Sequence, residues 1–278
     1  MKGLSRVAVT GTLVALFAMP VCAEPIEIPF RQHQHLVVVK GSANGISDLN
    51  LVIDTGATYT VISRQLAKRM KIRTDNVSAV SWGRNVDVRT GKLAELAVGE
   101  AIFEDVEIRI GDLALARGMQ VDVLVGLDLL KRTNVTIDYA SQTLILGSNR
   151  DFAEQAAFYP NLPFLLIRLE VQGKQLALVL DTGSPYLIFF RREIAGRVDM
   201  IRTKERARIA HAAGNLDLQK IILSETRLGE RSLGAVSAYW IDASSTPYGG
   251  ADGIFSPTSL GLQRLYLDFQ SNRISWEF

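Results

Sequence analysis

The feature that most constrains the fold of this chain is an internal repeat. The segment LVIDTGATY at residues 51–59 returns as LVLDTGSPY at 178–186, 127 residues later (178 − 51). Farther on the offset settles at 130 (266 − 136), where TIDYASQTLIL at 136–146 matches YLDFQSNRISW at 266–276. A nearly constant offset over so long a stretch indicates two copies of one structural unit. We therefore predict two halves with the same fold, related by a pseudo-twofold axis.

Short apolar or alternating runs dominate both copies and predict β strands. Examples are HLVVVKG, LNLVI, VEIRI and VTIDY, and the residues between such runs are rich in Gly, Asn and Asp. Two short helices are expected near residues 63–71 and 127–132. The chain is therefore predicted to be mainly β.

The repeat also predicts domain boundaries. We assign an N-terminal lobe to residues 24–146, a linker to 147–163 and a C-terminal lobe to 164–278. The linker sequence GSNRDFAEQAAFYPNLP contains turn residues, two prolines and little periodicity. The alternative is two β-rich domains that merely share an apolar pattern. It is disfavoured because the matched positions include Asp, Gly and Asn.

Residues 1–23 have the pattern of a secretory signal peptide. Lys2 and Arg6 precede an apolar stretch at 7–21, and Ala23 supplies a small residue at a possible cleavage site. An uncleaved anchor is the alternative, although the stretch is shorter than the roughly 20 residues of a membrane span. We expect a periplasmic or secreted protein with no membrane contact after signal removal. Whether a propeptide follows the signal stays open.

The composition of the chain without this signal argues against two further classes. Removing residues 1–23 takes two of the 31 Lys and Arg residues (31 − 2 = 29), which then balance the 29 Asp and Glu residues. A formal charge near zero disfavours a nucleic-acid partner. The single cysteine, Cys22, leaves with the signal, so we expect no disulfide-stapled fold.

The repeated Asp-Thr-Gly predicts a catalytic pair. If two similar units pack about a twofold axis, equivalent loops meet at that axis, and Asp54 then faces Asp181. Two carboxyl groups at close range hold one proton between them. Such a pair has both the base and the acid that hydrolysis of an amide by water requires.

The residues next to each aspartate suit a close approach of the two loops. Gly56 and Gly183 lack a Cβ, which lets the two backbones come together. Thr55 and Thr182 supply hydroxyl groups that can tie one loop to the other. We therefore predict that these four residues support the catalytic loops.

These motifs resemble those of the pepsin-like and retroviral-type (retropepsin-like) aspartic peptidases. The likeness rests on VIDTGAT, on LVLDTGS and on VLVGLDLL at 123–130, and it extends over nearly all of residues 26–278. The resemblance implies two closed β-barrel-like lobes with a cleft between them and a β-hairpin flap over the cleft. It further implies a monomeric aspartic endopeptidase that acts on polypeptides without a cofactor, with Asp54 and Asp181 catalytic and Gly126 against the first loop.

The same resemblance suggests where the flaps lie. The first would be the hairpin around VSWGRNVDV, with Trp82 and Gly83, and the second the hairpin around HAAGNLDL, with Gly214. Trp82 is a candidate for covering the substrate. Packing of this side chain on its own lobe is the equally weighted alternative.

Two departures from symmetry raise further expectations. Ser256 stands where the offset of 130 would place the partner of Gly126, so we expect strain there, and an inactive peptide-binding protein is the alternative function.

Ala57 follows the first loop and Ser184 the second. Because a hydrogen bond from Ser184 would favour an ionised Asp181, we expect Asp54 to hold the shared proton, with activity reaching mildly acidic or neutral pH. A pair of chains that must dimerise is a third, weaker hypothesis.

Histidine supplies a weaker signal. His33 and His35 are two residues apart, so in a strand both side chains lie on one face and could bind a metal ion. Such a pair is more often the solvated start of a strand, and no cysteine or carboxylate nearby completes a ligand set. We predict no metal site.

Overall fold

The computed structural model of this protein describes residues 24–81, 84–113, 115, 118–211, 214–241 and 248–278. The predicted signal peptide and the flap candidates Trp82 and Gly83 lie outside the described residues. Within them the chain is mainly β, as predicted.

The strands of the first half follow one another with short connections. In chain order they are β1 (Ile26–Pro29), β2 (Arg31–His33), β3 (Leu36–Ala43), β4 (Ile46–Ile53), β5 (Val61–Ser63), β6 (Asp75–Ser81), β7 (Arg84–Val98), β8 (Ala101–Gly111), β9 (Val123–Val125), β10 (Val135–Asp138) and β11 (Thr143–Leu146). The strands of the second half are β12 (Glu154–Ala157), β13 (Leu166–Val171), β14 (Lys174–Leu180), β15 (Ile188–Phe190), β16 (Ile201–His211), β17 (Gly214–Leu228), β18 (Arg231–Ile241), β19 (Gly253–Phe255), β20 (Arg264–Asp268) and β21 (Arg273–Glu277).

Two sheets with corresponding strand orders contain most of these strands. The first has the order β2-β3-β4-β9-β5-β8-β7-β6, and the second has the order β13-β14-β19-β15-β18-β17-β16. In each sheet the first long strand also pairs with the strand next to the far edge, β3 with β7 and β13 with β17. This contact spans three residue pairs in the first sheet and only two in the second. The predicted closed β barrels are therefore realised only in part.

A third sheet combines strands of both halves. Its order is β1-β11-β10-β20-β21-β12, and β10 and β20 pair antiparallel at its centre, with Val135 opposite Leu267. Strand β12 lies within the segment predicted to be a linker, and it pairs with β21 near the chain's end. The two halves are thus joined by a continuous hydrogen-bonded ladder as well as by the covalent chain.

Short helices follow equivalent strands in the two halves. They are α1 (Arg64–Met70), α2 (Leu127–Leu130), α3 (Arg191–Ile194) and a 3₁₀ helix (Pro257–Leu260). Helix α1 begins after Ser63, whose hydroxyl accepts a hydrogen bond from the Leu66 N–H at 3.1 Å and so satisfies one of the first free donors. Both helices expected from the sequence are confirmed. None of the helices among the described residues has the length and apolar character that a membrane span requires.

The strands that lead into the two Asp-Thr-Gly segments are the most buried parts of the fold. Residues 51–53 at the end of β4 and residues 178–180 at the end of β14 are all 0% exposed. Both strand ends are covered on two faces, which is why their last three residues are an unbroken apolar run, whereas the earlier parts of β4 and β14 include exposed polar residues. This packing gives the loops that follow a rigid base.

Candidate active site

Asp54 and Asp181 each follow a buried strand at a point where two parallel strands lie side by side. The Asp54 N–H donates to the Val125 carbonyl of β9 at 3.0 Å, and the Asp181 N–H donates to the Phe255 carbonyl of β19 at 2.9 Å. Strand β4 is parallel to β9, and β14 is parallel to β19. Each aspartate is thus fixed by a backbone hydrogen bond to the neighbouring strand.

The structure brings the two aspartate side chains together. The Asp181 carboxyl group lies against Gly56 of the first loop and the Asp54 carboxyl group lies against Gly183 of the second, although the two loops are far apart in sequence. Each carboxylate also accepts from its own loop: Gly56 N–H donates to Asp54 Oδ1 at 2.8 Å, and Gly183 N–H donates to Asp181 Oδ1 at 2.8 Å. The two loops therefore hold their carboxyl groups in equivalent geometry.

The two threonines cross-link the loops through a reciprocal set of hydrogen bonds. Thr55 Oγ1 donates to the Leu180 carbonyl at 2.8 Å and accepts from the Thr182 N–H at 3.1 Å. In the same way, Thr182 Oγ1 donates to the Ile53 carbonyl at 2.8 Å and accepts from the Thr55 N–H at 3.1 Å. Both side chains are buried, so water does not compete for these bonds. They fix the distance between the loops.

The glycines of both loops are required by the space available. A Cβ at Gly56 would lie 2.5 and 2.6 Å from the two Asp181 carboxylate oxygens. A Cβ at Gly183 would lie 2.7 to 2.9 Å from the Asp54 carboxyl atoms. Real Cβ atoms do not come so close to other heavy atoms. Each glycine therefore permits the carboxyl group of the other loop to sit beside its own.

The environment of the pair raises the pKa of both carboxyl groups. Burial raises the pKa of Asp54, and the hydrogen bond from the Gly56 N–H opposes this rise only in part. The pKa of Asp181 is raised well above its ordinary value, first by burial and then by the charge of Asp54. The pair therefore shares one proton, because ionisation of one carboxyl group makes ionisation of the other unfavourable.

The structure does not contain the side-chain hydrogen bond on which the expectation from Ser184 rests. The Ser184 hydroxyl donates to the Tyr186 carbonyl at 3.0 Å and does not serve the Asp181 carboxylate. The Ser184 N–H donates to the backbone carbonyl of Asp181 at 3.4 Å, and the Ala57 N–H makes the same contact with the backbone carbonyl of Asp54 at 3.4 Å. The hydroxyl at position 184 therefore does not create the predicted difference between the two carboxyl groups.

Gly126 lies against the first loop as expected. A Cβ at this position would be 2.5 Å from the carbonyl carbon and 2.6 Å from the carbonyl oxygen of Tyr59. Ser256 takes the corresponding place in the second half, where it is buried with an ordinary backbone conformation (φ −93°, ψ 119°). Its hydroxyl lies 3.3 Å from Thr258 Oγ1. The strain that was predicted at Ser256 is absent from its backbone.

We expect opposite outcomes from substitutions at these two positions. Gly126→Ala should lower the free energy of unfolding by about 1–3 kcal/mol, because its methyl group meets a backbone that cannot move freely. Ser256→Gly should leave turnover within about twofold, because the loss of its hydroxyl removes only a contact with Thr258. Urea denaturation and turnover of both variants test this pair. A large gain in turnover from Ser256→Gly would show that the serine limits the site.

Two residues that the sequence did not single out as part of the site touch its loops. Tyr248 donates from its hydroxyl to the Gly56 carbonyl at 3.0 Å, and His35 Nε2 lies 2.9 Å from the Gly183 carbonyl. His35 was considered only as half of a metal pair, and the described residues contain no cluster of metal-binding side chains. Tyr248 corresponds to Gly118 at the offset of 130 (248 − 118), so the repeat gave no signal for it.

The predicted flap regions coincide with β hairpins as far as the structure describes them. Strands β6 and β7 form the first hairpin, and strands β16 and β17 form the second. Gly214 begins β17 and pairs with His211. The role of these hairpins as covers for a bound substrate stays a prediction.

Comparisons with known proteins give matches to parts of this chain. Residues 39–129 match the family model described as Aspartyl protease. DNA damage-inducible protein 1 of Chaetomium globosum is 32% identical over 122 residues, which make up 40% of this chain and 25% of that protein. The chain thus spans about a quarter of the length of this curated relative. A solved retropepsin-like aspartic protease from Rickettsia conorii is 20% identical, with a TM-score of 0.33, over 44% of this chain and 89% of that one.

Proposed function

We propose that this chain is a retropepsin-like aspartic endopeptidase in which Asp54 and Asp181 activate the water that attacks the peptide bond, a proposal that the match of residues 39–129 to the Aspartyl protease family model supports. The observation that carries this proposal is the placement of two half-buried carboxyl groups side by side, each bound by the glycine N–H of its own loop and lying against the glycine of the other. No side chain near this pair is needed as a nucleophile, since the pair itself supplies an acid and a base. The proposed substrate is a polypeptide.

The single proton that the two carboxyl groups share supports a mechanism without a covalent intermediate. In the proposed mechanism Asp54 is the ionised member and removes a proton from water as the water oxygen bonds to the scissile carbonyl carbon, and Asp181 gives the shared proton to the carbonyl oxygen. Asp54 then donates the acquired proton to the leaving nitrogen as the C–N bond breaks. Asp181 recovers a proton from the tetrahedral intermediate. Both groups return to their starting states.

We also propose a two-lobed arrangement with the substrate cleft between the halves. The corresponding strand orders of the two large sheets support it, as do the threonine hydrogen bonds between the loops at their junction. In this proposal the lobes are residues 24–146 and 164–278, products of an internal duplication. The complete site then belongs to a single chain, which favours a monomer.

The pH dependence of hydrolysis provides the first test. Below the lower pKa of the pair both carboxyl groups are protonated and the base is lost; above the higher pKa both are ionised and the acid is lost. Since burial raises the pKa of both carboxyl groups and the charge of one opposes ionisation of the other, we expect a bell-shaped profile at mildly acidic to neutral pH. The measurement is kcat/KM on an unfolded protein substrate, with and without pepstatin. A profile confined to strongly acidic pH would contradict the proposed environment.

The competing function is a peptide-binding protein that retains the fold but not the catalytic rate. Its main support from the sequence was Ser256, and the ordinary backbone of that residue does not favour it. Export to the periplasm or the exterior stays a proposal that rests on residues 1–23 alone. Detection of the mature N-terminus by mass spectrometry after secretion would test it.

A further inference from the structure

The tyrosine that follows each catalytic loop contacts a different kind of side chain. Tyr59 and Tyr186 each stand five residues beyond their catalytic aspartate (59 − 54 and 186 − 181). The guanidinium carbon of Arg109 lies 4.4 Å from the centre of the Tyr59 ring. In the second half, the centre of the Tyr239 ring lies 4.4 Å from that of Tyr186. A cation thus stacks on one tyrosine and an aromatic ring packs on the other.

Arg109 and Tyr239 occupy equivalent positions in the two halves. They are separated by the offset of 130 (239 − 109). The Arg109 N–H donates to the Thr60 carbonyl at 2.8 Å, and the Tyr239 N–H donates to the Leu187 carbonyl at 2.8 Å. The acceptors Thr60 and Leu187 are equivalent as well, at the offset of 127 (187 − 60). The backbones of the two halves therefore match here, and the side chains differ.

Both side chains lie on the face of their sheet that carries residues of the catalytic site. Arg109 is paired with Val61, which packs in a small apolar cluster together with Ala57, the residue after the first Asp-Thr-Gly. Paired residues of neighbouring strands project to the same face. Tyr239 packs in the small cluster that includes Tyr248, whose hydroxyl binds a carbonyl of the first loop. Each half thus has one stacked pair on the side of its catalytic loop.

The pair in the first half lines a charged cavity of about 330 Å³. The charged residues of its lining are Arg73, Asp75, Lys92, Glu107 and Arg109, so cations outnumber carboxylates by one (3 − 2). Lys92 forms an ion pair with Asp105 at 3.6 Å. Among the described residues, no carboxylate lies within ion-pair distance of Arg109. A guanidinium stacked on a ring keeps its in-plane N–H groups available for a carboxylate.

The pair in the second half has apolar surroundings. The Tyr186 and Tyr239 rings both pack against the cluster that contains Phe164 and Ile188. Lys220 pairs with Tyr239 across β17 and β18, and its ammonium group binds the Glu205 carboxylate at 2.8 Å. The charge of this lysine is therefore neutralised within the protein. The second pair presents aromatic surface where the first presents a cation.

We propose that the Tyr59–Arg109 and Tyr186–Tyr239 pairs determine the side-chain specificity of the two ends of the substrate cleft. The first pair selects a substrate residue that carries a carboxylate. The second pair selects an aromatic or large aliphatic residue on the other side of the scissile bond. This inference rests on the proposed function and adds a substrate preference to it.

Digestion of a peptide library tests this preference directly. Mass spectrometry of the products from randomised decapeptides should show Asp or Glu enriched on one side of the cleaved bond and aromatic or aliphatic residues on the other. A preferred peptide is then made in matched Glu and Gln forms. We expect kcat/KM to favour the Glu form by about threefold to tenfold, the scale of one charge-assisted contact. Product profiles without enrichment of acidic residues would overturn the inference.

Exchange of the two equivalent residues provides the matched variants. Arg109→Tyr should bring the ratio of kcat/KM for the Glu and Gln forms to about one, because the donor to the carboxylate is lost. Tyr239→Arg should create a preference for Glu at the other end of the cleft. Arg150→Tyr is the control, since Arg150 is exposed between β11 and β12, and its ratio should equal that of the wild type. A merely structural role of Arg109 would lower kcat/KM for both forms alike and leave the ratio unchanged.

Binding measurements separate failure of this inference from failure of the proposed function. If the wild type hydrolyses no library peptide, the proposed function fails. Fluorescence anisotropy with two labelled library pools, one containing Glu and the other Gln in its place, then tests the inference by itself. Tighter binding of the Glu pool to the wild type than to Arg109→Tyr would support it, and equal binding would overturn it. Hydrolysis with the same Glu preference in the wild type and in Arg109→Tyr would refute this inference alone.

Discussion

Asparagine at position 54 or at position 181 is expected to lower turnover of an unfolded protein substrate on the order of 10³-fold, the scale of lost general acid–base catalysis. The change is nearly isosteric, so the loops and their threonine bonds stay in place. Asparagine at position 54 cannot accept the proton of water. Asparagine at position 181 cannot transfer a proton to the carbonyl oxygen. Because the pair acts as a unit, the double variant should be little worse than either single variant.

The stability of these variants distinguishes lost chemistry from lost folding. The pKa of Asp181 is raised in the folded state, so its contribution to stability is present below the unfolded pKa and is lost as pH rises through the folded pKa. Asparagine does not ionise, so Asp181→Asn avoids this loss of stability and should raise the thermal midpoint of unfolding at neutral pH. Asp105→Asn, with its side chain 83% exposed, is the control that should change neither property. Equal turnover in wild type and both site variants would end the proposal of an aspartic peptidase.

Loss of one threonine hydroxyl should have the second largest effect. Thr182→Val keeps the shape of the side chain but removes the acceptor for the Thr55 N–H and the donor to the Ile53 carbonyl. Leaving a buried polar group without its partner costs about 1–3 kcal/mol, and two groups are affected here. We expect the free energy of unfolding to fall by roughly 2–6 kcal/mol. Turnover should fall as well, because the loops lose part of their cross-link.

Serine at the same position provides the matched comparison. Thr182→Ser keeps both hydrogen bonds and loses one buried methyl group, so about 1 kcal/mol is expected. Urea denaturation, followed by turnover of the folded fraction, measures both variants. Equal stability of the valine and serine variants would show that the reciprocal hydrogen bonds contribute little to the fold.

Much of the candidate site could be predicted because the repeat places the same residue types at equivalent positions. Asp54, Asp181 and their threonines and glycines could all be recognised as one pattern occurring twice. Their roles as loop partners follow from symmetry and from the small size of glycine. The structure brings together the residues that this pattern selected.

Residues outside the repeat could not be found in this way. The first half has a glycine, Gly118, at the position equivalent to Tyr248, and the contact of Tyr248 with Gly56 joins residues 192 positions apart. The partner of the Ser184 hydroxyl depends on where the Tyr186 carbonyl lies, which the sequence pattern does not encode. The partial closure of the two sheets likewise depends on how far β3 and β13 bend toward their partners. Such contacts arise from tertiary packing rather than from local preference.

The central sheet, where β10 of the first half pairs with β20 of the second, has a consequence for how such a site can change over evolution. In an assembly of two identical chains, every substitution appears on both sides of the axis at once. A chain that supplies both halves is free of that constraint. Ala57 and Ser184 already differ, as do Gly126 and Ser256. One side can thus acquire a change that would be harmful if it were imposed on both.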